Sequence, residues 1–272
     1  MVLTPESLFL IYDKAPTSGL PVRFRSMNDT LPHTGPHKKN THGISTQGLN
    51  LLRASGSGQF SVEGLAAIAQ KLEKPFTVLD LREELHGFIN GDAVALRSIN
   101  NQDYQGISST DMEKREQKLF TNLESKTVIY TLSHTYDNGI TYSLEPHEVR
   151  VKDSLSEKEL CKAKNIPYIR INLTENKAPN DPTTKNLVKT LHELYERKQW
   201  VHIHCRLGEG RTTSVLAMYD MLINAQTVSF ETIIERQYLL GGENLMRLKG
   251  DGTHRLEELH TFYTWCKSTK NA

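Results

Sequence analysis

Between Trp200 and Ile223 the period of the apolar residues changes within a few positions. Upstream, Trp200-Val-His-Ile-His-Cys205 alternates, so Trp200, His202 and His204 share one face of a short strand and Val201, Ile203 and Cys205 share the other. Downstream, Val215, Met218, Tyr219, Leu222 and Ile223 recur at helical spacing. The backbone must therefore pass from a buried strand into a helix between Arg206 and Arg211, and Gly208 and Gly210 permit the turn. A turn of this kind aims its peptide N–H groups inward, and the helix behind it adds the positive end of its dipole. Arg206, Leu207, Gly208, Glu209 and Gly210 are thus expected to cradle a phosphate dianion.

Cys205 falls at the floor of that cradle, where N–H groups, helix dipole and the guanidinium of Arg211 all favour an ionised sulfur. Arg211 suits the site because its planar fork grips two phosphate oxygens and stays charged. Thr212 is placed to offer its hydroxyl to the sulfur as the sulfur departs from phosphorus. Each feature alone has an ordinary reading: a packed cysteine, a glycine turn, a helix cap. A nucleotide-binding loop fits less well, since the residue before Thr212 is Arg211 and not Lys. A metal site from His202, His204 and Cys205 is opposed by the alternation, which puts the sulfur on the other face.

The 272 residues carry a net charge of +1, so a strongly anionic substrate must be met by a local pocket and not by the field of the whole molecule. That balance gives no sign of a nucleic-acid partner. Cys161, Cys205 and Cys266, an odd number widely spaced, point away from a disulfide framework and toward a reducing, cytoplasmic working compartment. The apolar stretch within residues 1–13 is too short and interrupted for a membrane span, and it lacks the basic front and cleavage site of a secretory leader.

Alternation of helix and strand elsewhere predicts an α/β fold. Residues 14–58, rich in Pro, Gly, Ser, Thr, His and Asn, are expected to be irregular; Ser61 opens a helix striped by Leu65, Ile68 and Leu72, and Phe76–Leu81 reads as a strand. A helix over 111–124, a strand over 126–132 and a turn at Asp137-Asn-Gly139 before Ile140-Thr-Tyr142 follow. Ser156 and Glu159 form a capping box for a helix ending near Lys164, and Pro167–Leu173 is a further strand. Leu187, Leu191, Leu194 and Tyr195 stripe the helix that leads back to the Cys205 strand, and helices over Ser229–Leu240 and Arg255–Trp265 complete the chain.

Attack of a thiolate on phosphorus expels an oxyanion, so an acid on another loop must protonate it. The segment Thr174-Glu-Asn-Lys-Ala-Pro-Asn-Asp-Pro182 offers Glu175 and Asp181, of which Asp181 is also an ordinary helix cap ahead of Pro182.

With these residues in view, the chain resembles the protein-tyrosine-phosphatase-like phytases, cysteine-dependent inositol polyphosphate phosphatases of bacteria. The likeness rests on His204-Cys-x-x-Gly-x-Gly-Arg-Thr-Thr213, Phe24-Arg-Ser26, Ser55-Gly-Ser-Gly-Gln-Phe60, Asp80-Leu-Arg-Glu-Glu-Leu-His-Gly87, Tyr168-Ile-Arg-Ile171, and Arg236-Gln237 with Gly241-Gly242. The resemblance implies a protein-tyrosine-phosphatase-like core with a central, mostly parallel sheet flanked by helices, assembled from residues 24–97 and 153–272. It also implies a small partial β-barrel insertion over 98–152, with 1–23 left as an irregular N-terminal segment.

The same resemblance makes Cys205 the nucleophile, Arg211 the phosphate clamp and Thr212 the leaving-group helper, without metal or cofactor. Arg25, Glu84 and Asp103 match positions in or beside the substrate pocket; read alone they would be a surface cation, an ion pair with Arg82 and a loop cap. Where the family carries Thr-Asp-His, this chain has Thr174-Glu175-Asn176, which makes Glu175 the proton donor and removes a phosphate contact. A polyphosphorylated ring would call for further cations, for which Lys177, Lys249, Arg247 and Arg25 are available. Inositol phosphate is the expected partner, with a phosphoprotein or phosphoinositide headgroup as the alternative, and a phosphate-binding module with little turnover as the competing class. Delivery into a host cell is compatible with all of these.

Overall fold

The computed structural model describes residues 7–13, 15–32, 43–99, 103–136, 140–174, 181–247 and 252–269. In chain order the elements are β1 (Phe9–Tyr12), β2 (Arg25–Ser26), a short 3-10 helix (Leu49–Leu52), β3 (Ala54–Ser57), α1 (Val62–Leu72), β4 (Phe76–Arg82), β5 (Leu85–Ile89), β6 (Asp92–Arg97), α2 (Ser109–Thr121), β7 (Lys126–Tyr136) and β8 (Ile140–Arg150). Then come β9 (Ser154–Ser156), α3 (Glu157–Ala163), β10 (Tyr168–Leu173), α4 (Asp181–Glu196), β11 (Trp200–His204), α5 (Gly210–Asn224), α6 (Phe230–Leu239), a second short 3-10 helix (Leu245–Arg247) and α7 (Gly252–Ser268).

Two sheets organise the chain. The first has five strands in the order β10-β4-β11-β3-β2, parallel throughout except for β2 at one edge. Its central strand β11 is buried along its whole length, and its alternation separates two cores as the sequence requires. Val201, Ile203 and Cys205 pack with α4, α5, α6 and α7, while Trp200 packs with Phe60, α1 and α3 on the other side. Local signals start the flanking helices: Ser61 accepts from the Gly64 N–H at the head of α1, and Ser156 and Glu159 make the expected reciprocal box at the head of α3.

Register then places the site. His204 in β11 lies opposite Asp80 in β4 and Ser57 in β3, so the residues following all three strands emerge together at one end of the sheet. That is where parallel sheets bind ligands, because loops from neighbouring strands diverge there.

The second sheet has six strands in the order β8-β7-β1-β6-β5-β9, with α2 laid on it through Phe120 against Ile89, Val94 and Ile129. Here the structure departs from expectation. Phe9–Tyr12, within the segment expected to be irregular, is a strand paired with β6 and β7, because Phe9, Leu10 and Ile11 have a core to enter. The sheet also recruits residues 85–97 and 154–156 and is not confined to 98–152. Its edge strands are β8 and β9, with no pairing between them among the described residues.

A second departure is Ala54–Ser57, expected to be irregular and found in the middle of the first sheet. Its small residues are a packing requirement: a Cβ at Gly56 would lie 2.8 Å from both Leu216 Cδ1 and Thr212 Cγ2 of α5. Among the described residues no helix is long and apolar enough to cross a membrane.

Candidate active site

Cys205 follows the last residue of β11, and α5 begins five residues later at Gly210, as the change of period predicts. The intervening loop packs backbone to backbone against the end of β3. Gly208 has φ +72°, and a Cβ there would sit 2.4 Å from the amide nitrogen of Gly58, so both conformation and space demand glycine. The Gln59 N–H donates to the Arg206 carbonyl at 3.0 Å, fastening the other side of the turn.

Cys205 and Arg211 are both buried. The Thr212 hydroxyl lies 3.1 Å from Cys205 Sγ and 3.3 Å from the Ser57 carbonyl, so its single proton is shared between the sulfur and the backbone. Arg211 donates from Nη1 to the Glu84 carboxylate and to the Leu173 carbonyl, each at 3.2 Å. It thereby ties the nucleophile loop to the end of β10, where the chain enters the acid loop; Thr174, the next residue, donates to Glu83 at 3.3 Å.

Glu84 makes the expected ion pair with Arg82 and a second one with Arg211. One oxygen accepts from Arg211 and the other from Arg82 Nε at 2.9 Å. Burial pushes its carboxyl upward, but the Arg211 and Arg82 guanidiniums outweigh that and hold it well below the usual carboxylate range. Arg25 is not a surface cation, being among the most deeply buried side chains. It donates to the Gly208 carbonyl at 3.0 Å and to Thr213 Oγ1 at 3.1 Å. Burial lowers its guanidinium to about 10, the Cys205 sulfur working against that and Arg23 with it. The second threonine of the loop is thus a junction: Thr213 Oγ1 accepts from Arg25 and from the Glu243 N–H and donates to the Glu209 carbonyl.

The other expected residues are less enclosed. Asp103 is exposed and caps its own loop, accepting from the Ser98 N–H at 2.7 Å. Arg206, Leu207, Glu209 and Gly210 are half-buried along the loop, and Arg247 is exposed on the second 3-10 helix. Glu175, Lys177 and Lys249 lie outside the described residues, as does the side chain of Asp181, which begins α4.

Several residues of the site had not been singled out in the sequence. Asp13, just past β1, accepts from Arg82 Nη1 at 2.7 Å and from Arg206 Nε at 3.2 Å, so the loop's extra cation is neutralised by the second sheet. Arg255 of α7 is buried against the loop, since a Cβ on Gly210 would lie 2.0 Å from its Nη1. Glu157 at the start of α3 meets His204 Nε2 at 2.7 Å and accepts from Gln59 Nε2 at 2.8 Å, supporting both the residue before the nucleophile and the residue that holds the turn. None of these partners is near its counterpart in sequence, and no local pattern marks them.

Asp80, Glu157 and His204 bring one donor atom each within 4.8 Å of one another and could hold a cation. Positive side chains already occupy that role. Arg170 lies 3.4 Å from Asp80, and His86 lies 3.4 Å from both Asp80 and Glu157. Burial lowers His86, but Asp80 and Glu116 together outweigh it and raise the imidazole well above its usual range. His202 is the reverse case: burial, with His204 beside it, drops it to about 3, and it bridges Ser55 and Ser57 as a neutral ring.

What the arrangement can do follows from its parts. A sulfur sits at the mouth of the central strand, opposite a helix N-terminus, beside one hydroxyl and within a loop braced by buried guanidiniums. Such a nest can receive a tetrahedral dianion and place its central atom against the sulfur.

Comparison with known proteins places the chain in a family. The family model described as PTPlike_phytase, inositol hexakisphosphate, matches residues 79–223. The chain is 31% identical over 237 residues to the protein named Effector protein hopD2 of Pseudomonas syringae pv. tomato, covering 86% of this chain and 49% of that one. Among solved structures it is similar to the tandemly repeated protein tyrosine phosphatase like phytase from Mitsuokella multacida, with a TM-score of 0.83 and 28% identity over 98% of this chain and 46% of that one. It is also similar to the PTP-like myo-inositol phosphatase from the same organism in complex with myo-inositol-(1,3,4,5)-tetrakisphosphate, with a TM-score of 0.82 and 30% identity at the same coverage. The chain spans about half the length of these relatives.

Proposed function

This chain belongs to the protein-tyrosine-phosphatase-like phytase family, and from that premise we propose that it is a metal-independent phosphatase of inositol phosphates that works through a phosphocysteine. The observation that carries the reading is the Thr212 hydroxyl 3.1 Å from Cys205 Sγ, at the start of a helix whose first turn also supplies a buried arginine. A structural cysteine needs neither neighbour; a sulfur that must leave phosphorus as an anion is served by both.

In this reading the loop N–H groups, Arg25 and Arg211 seat the scissile phosphate. The Cys205 thiolate attacks phosphorus, a P–S bond forms as the P–O bond to the ring breaks, and Glu175 gives its proton to the departing oxygen. Glu175, now a carboxylate, takes a proton from water, whose oxygen attacks the phosphocysteine. The P–S bond then breaks, and the electron pair returns to a sulfur that receives the Thr212 hydrogen bond. Glu84 holds Arg211 in place beside the nest. The relative named as an effector supports an extension of this reading, in which the protein acts inside a host cell after delivery there.

The test is phosphate release, without added metal, from inositol hexakisphosphate, from less phosphorylated inositol phosphates and from a phosphotyrosine peptide. Release from the inositol phosphates is expected. Binding of all of them with no turnover would leave only a phosphate-binding module.

A further inference from the structure

Glu157 takes no part in the chemistry above, yet its carboxylate is wholly buried at the edge of the site. Burial pushes the carboxyl upward, but His204 and His86 outweigh that and hold it well below the usual carboxylate range. It is the first residue of α3, which follows directly on β9 at the edge of the six-stranded sheet, and the Ser156–Glu159 box fixes how that helix starts. From there the carboxylate reaches the end of the five-stranded sheet.

Its two oxygens go to two residues that bracket the nucleophile. Oε1 accepts from His204 Nε2 at 2.7 Å and Oε2 from Gln59 Nε2 at 2.8 Å. His204 precedes Cys205 in the chain, and Gln59 holds the residue that follows it, because the Gln59 N–H donates to the Arg206 carbonyl at 3.0 Å. Arg82 Nη1 locks the other end of the Gln59 amide at 2.6 Å. The His204 ring rests on Phe60, in the core on the opposite side of β11 from the sulfur, so whatever Glu157 does for Cys205 passes through the backbone. Charge balance does not account for this arrangement. His86 already has Asp80 and Glu116 beside it, and Gln59 is neutral, so a counter-ion alone would not require the second bond.

We propose that Glu157 is a positioning residue for the nucleophile: by holding the His204 ring and, through Gln59, the Arg206 carbonyl, it fixes the two peptide units that flank Cys205 and sets the reactivity of the sulfur without adding to phosphate affinity. The proposal goes beyond the phosphatase reading and depends on it only for the turnover arm of the test.

Glu157→Gln leaves one acceptor oxygen for two N–H donors. His204 Nδ1 has no partner among the described residues, so turning the ring proton around to suit the new amide would bury an unpaired donor. One flank of Cys205 is therefore released. Alkylation by iodoacetamide at pH 7 reads the sulfur directly, since Cys161 and Cys266 are buried and burial pushes both of their thiols up. The rate should fall about tenfold, a fraction of the hundredfold that a misplacement of about 1 Å costs. Phosphate affinity, titrated by calorimetry in a Cys205→Ser background, should not change, and kcat should fall with KM in place. Combining Glu157→Gln with Gln59→Glu should restore the alkylation rate: the carboxylate at 59 keeps Arg82 and accepts from the amide at 157, whose oxygen accepts from His204. Should Glu157→Gln not give folded protein, Gln59→Met cuts one arm of the clamp and is held to the same criteria of slower alkylation and unchanged phosphate affinity. An unmoved alkylation rate, a loss of phosphate affinity in step with it, or a slow rate that the exchanged pair does not restore overturns the proposal. Turnover by the unmodified protein is scored separately: phosphate release with an unmoved alkylation rate sinks the clamp alone, while a slowed rate without release in the parent sinks the phosphatase and leaves the clamp.

Discussion

Replacing Glu84 by Gln removes one charge from between two buried guanidiniums while keeping the side chain's shape. Arg82 would retain Asp13 at 2.7 Å and Gln59 at 2.6 Å, whereas Arg211 would lose its carboxylate partner and keep the Leu173 carbonyl. Breaking a buried ion pair from one side costs about 3–5 kcal/mol, and because Arg82 stays well partnered the lower figure, about 3 kcal/mol, applies. At about 2.1 cal/mol/K per residue, unfolding 272 residues changes entropy by about 0.57 kcal/mol/K, so the melting temperature should fall by about 5 °C. The pH dependence has a definite sign. A carboxyl held below its unfolded value stabilises the fold above that unfolded value and loses the effect as pH falls through the depressed one, so the deficit should be full at pH 7 and close only in strong acid. Inorganic phosphate should restore more stability to Glu84→Gln than to the parent, because an anion in the nest replaces a negative charge removed beside Arg211. Calorimetry at pH 7 with and without phosphate measures both effects. A variant that melts within a degree of the parent and gains no more from phosphate would show that Glu84 does not hold Arg211.

Three further outcomes are expected. Cys205→Ser should abolish phosphate release while preserving phosphate binding by calorimetry, since backbone groups make up most of the cradle. Glu175→Gln should remove the basic limb of the rate-against-pH profile while Asp181→Asn leaves it in place, and the reverse pattern would move the proton donor to Asp181. Gly208→Ala should destabilise the fold by at least about 2 kcal/mol and cut phosphate release with it, because the added methyl meets both an unfavourable φ and the Gly58 backbone; denaturant unfolding measures the first effect.

The parts of the molecule that speak in local patterns were readable in advance. The strand-to-helix turn around Cys205 declares itself through a change of apolar period, and α3 through its capping box, because both are decided within a few residues. Strand β3 could not be read that way. Its Ala54-Ser-Gly-Ser57 has no alternation, and its composition answers to α5, which lies more than a hundred and fifty residues away. The β5–β6 hairpin does carry a local signal: Asn90-Gly91, with φ of 53° and 89°, is the turn that such a hairpin prefers. The site shows the same division. Cys205, Arg211 and Thr212 follow from the loop's own geometry. The depth of Arg25 and the services of Asp13, Glu157 and Arg255 depend on which distant segments the fold brings to the end of the first sheet, and nothing near them in the chain encodes that.

The ion pairs of Asp13 carry a lesson for anyone exchanging parts between members of this family. Residue 13 leaves the six-stranded sheet and residue 206 leaves the five-stranded one, yet each supplies the other's counter-charge. A chimera that takes its two sheets from different parents would graft a loop whose arginine looks for an anion the new neighbour does not provide. Transplanting the pair together, with Arg82 as the third member, is the smallest exchange that keeps the nucleophile's surroundings electrically whole.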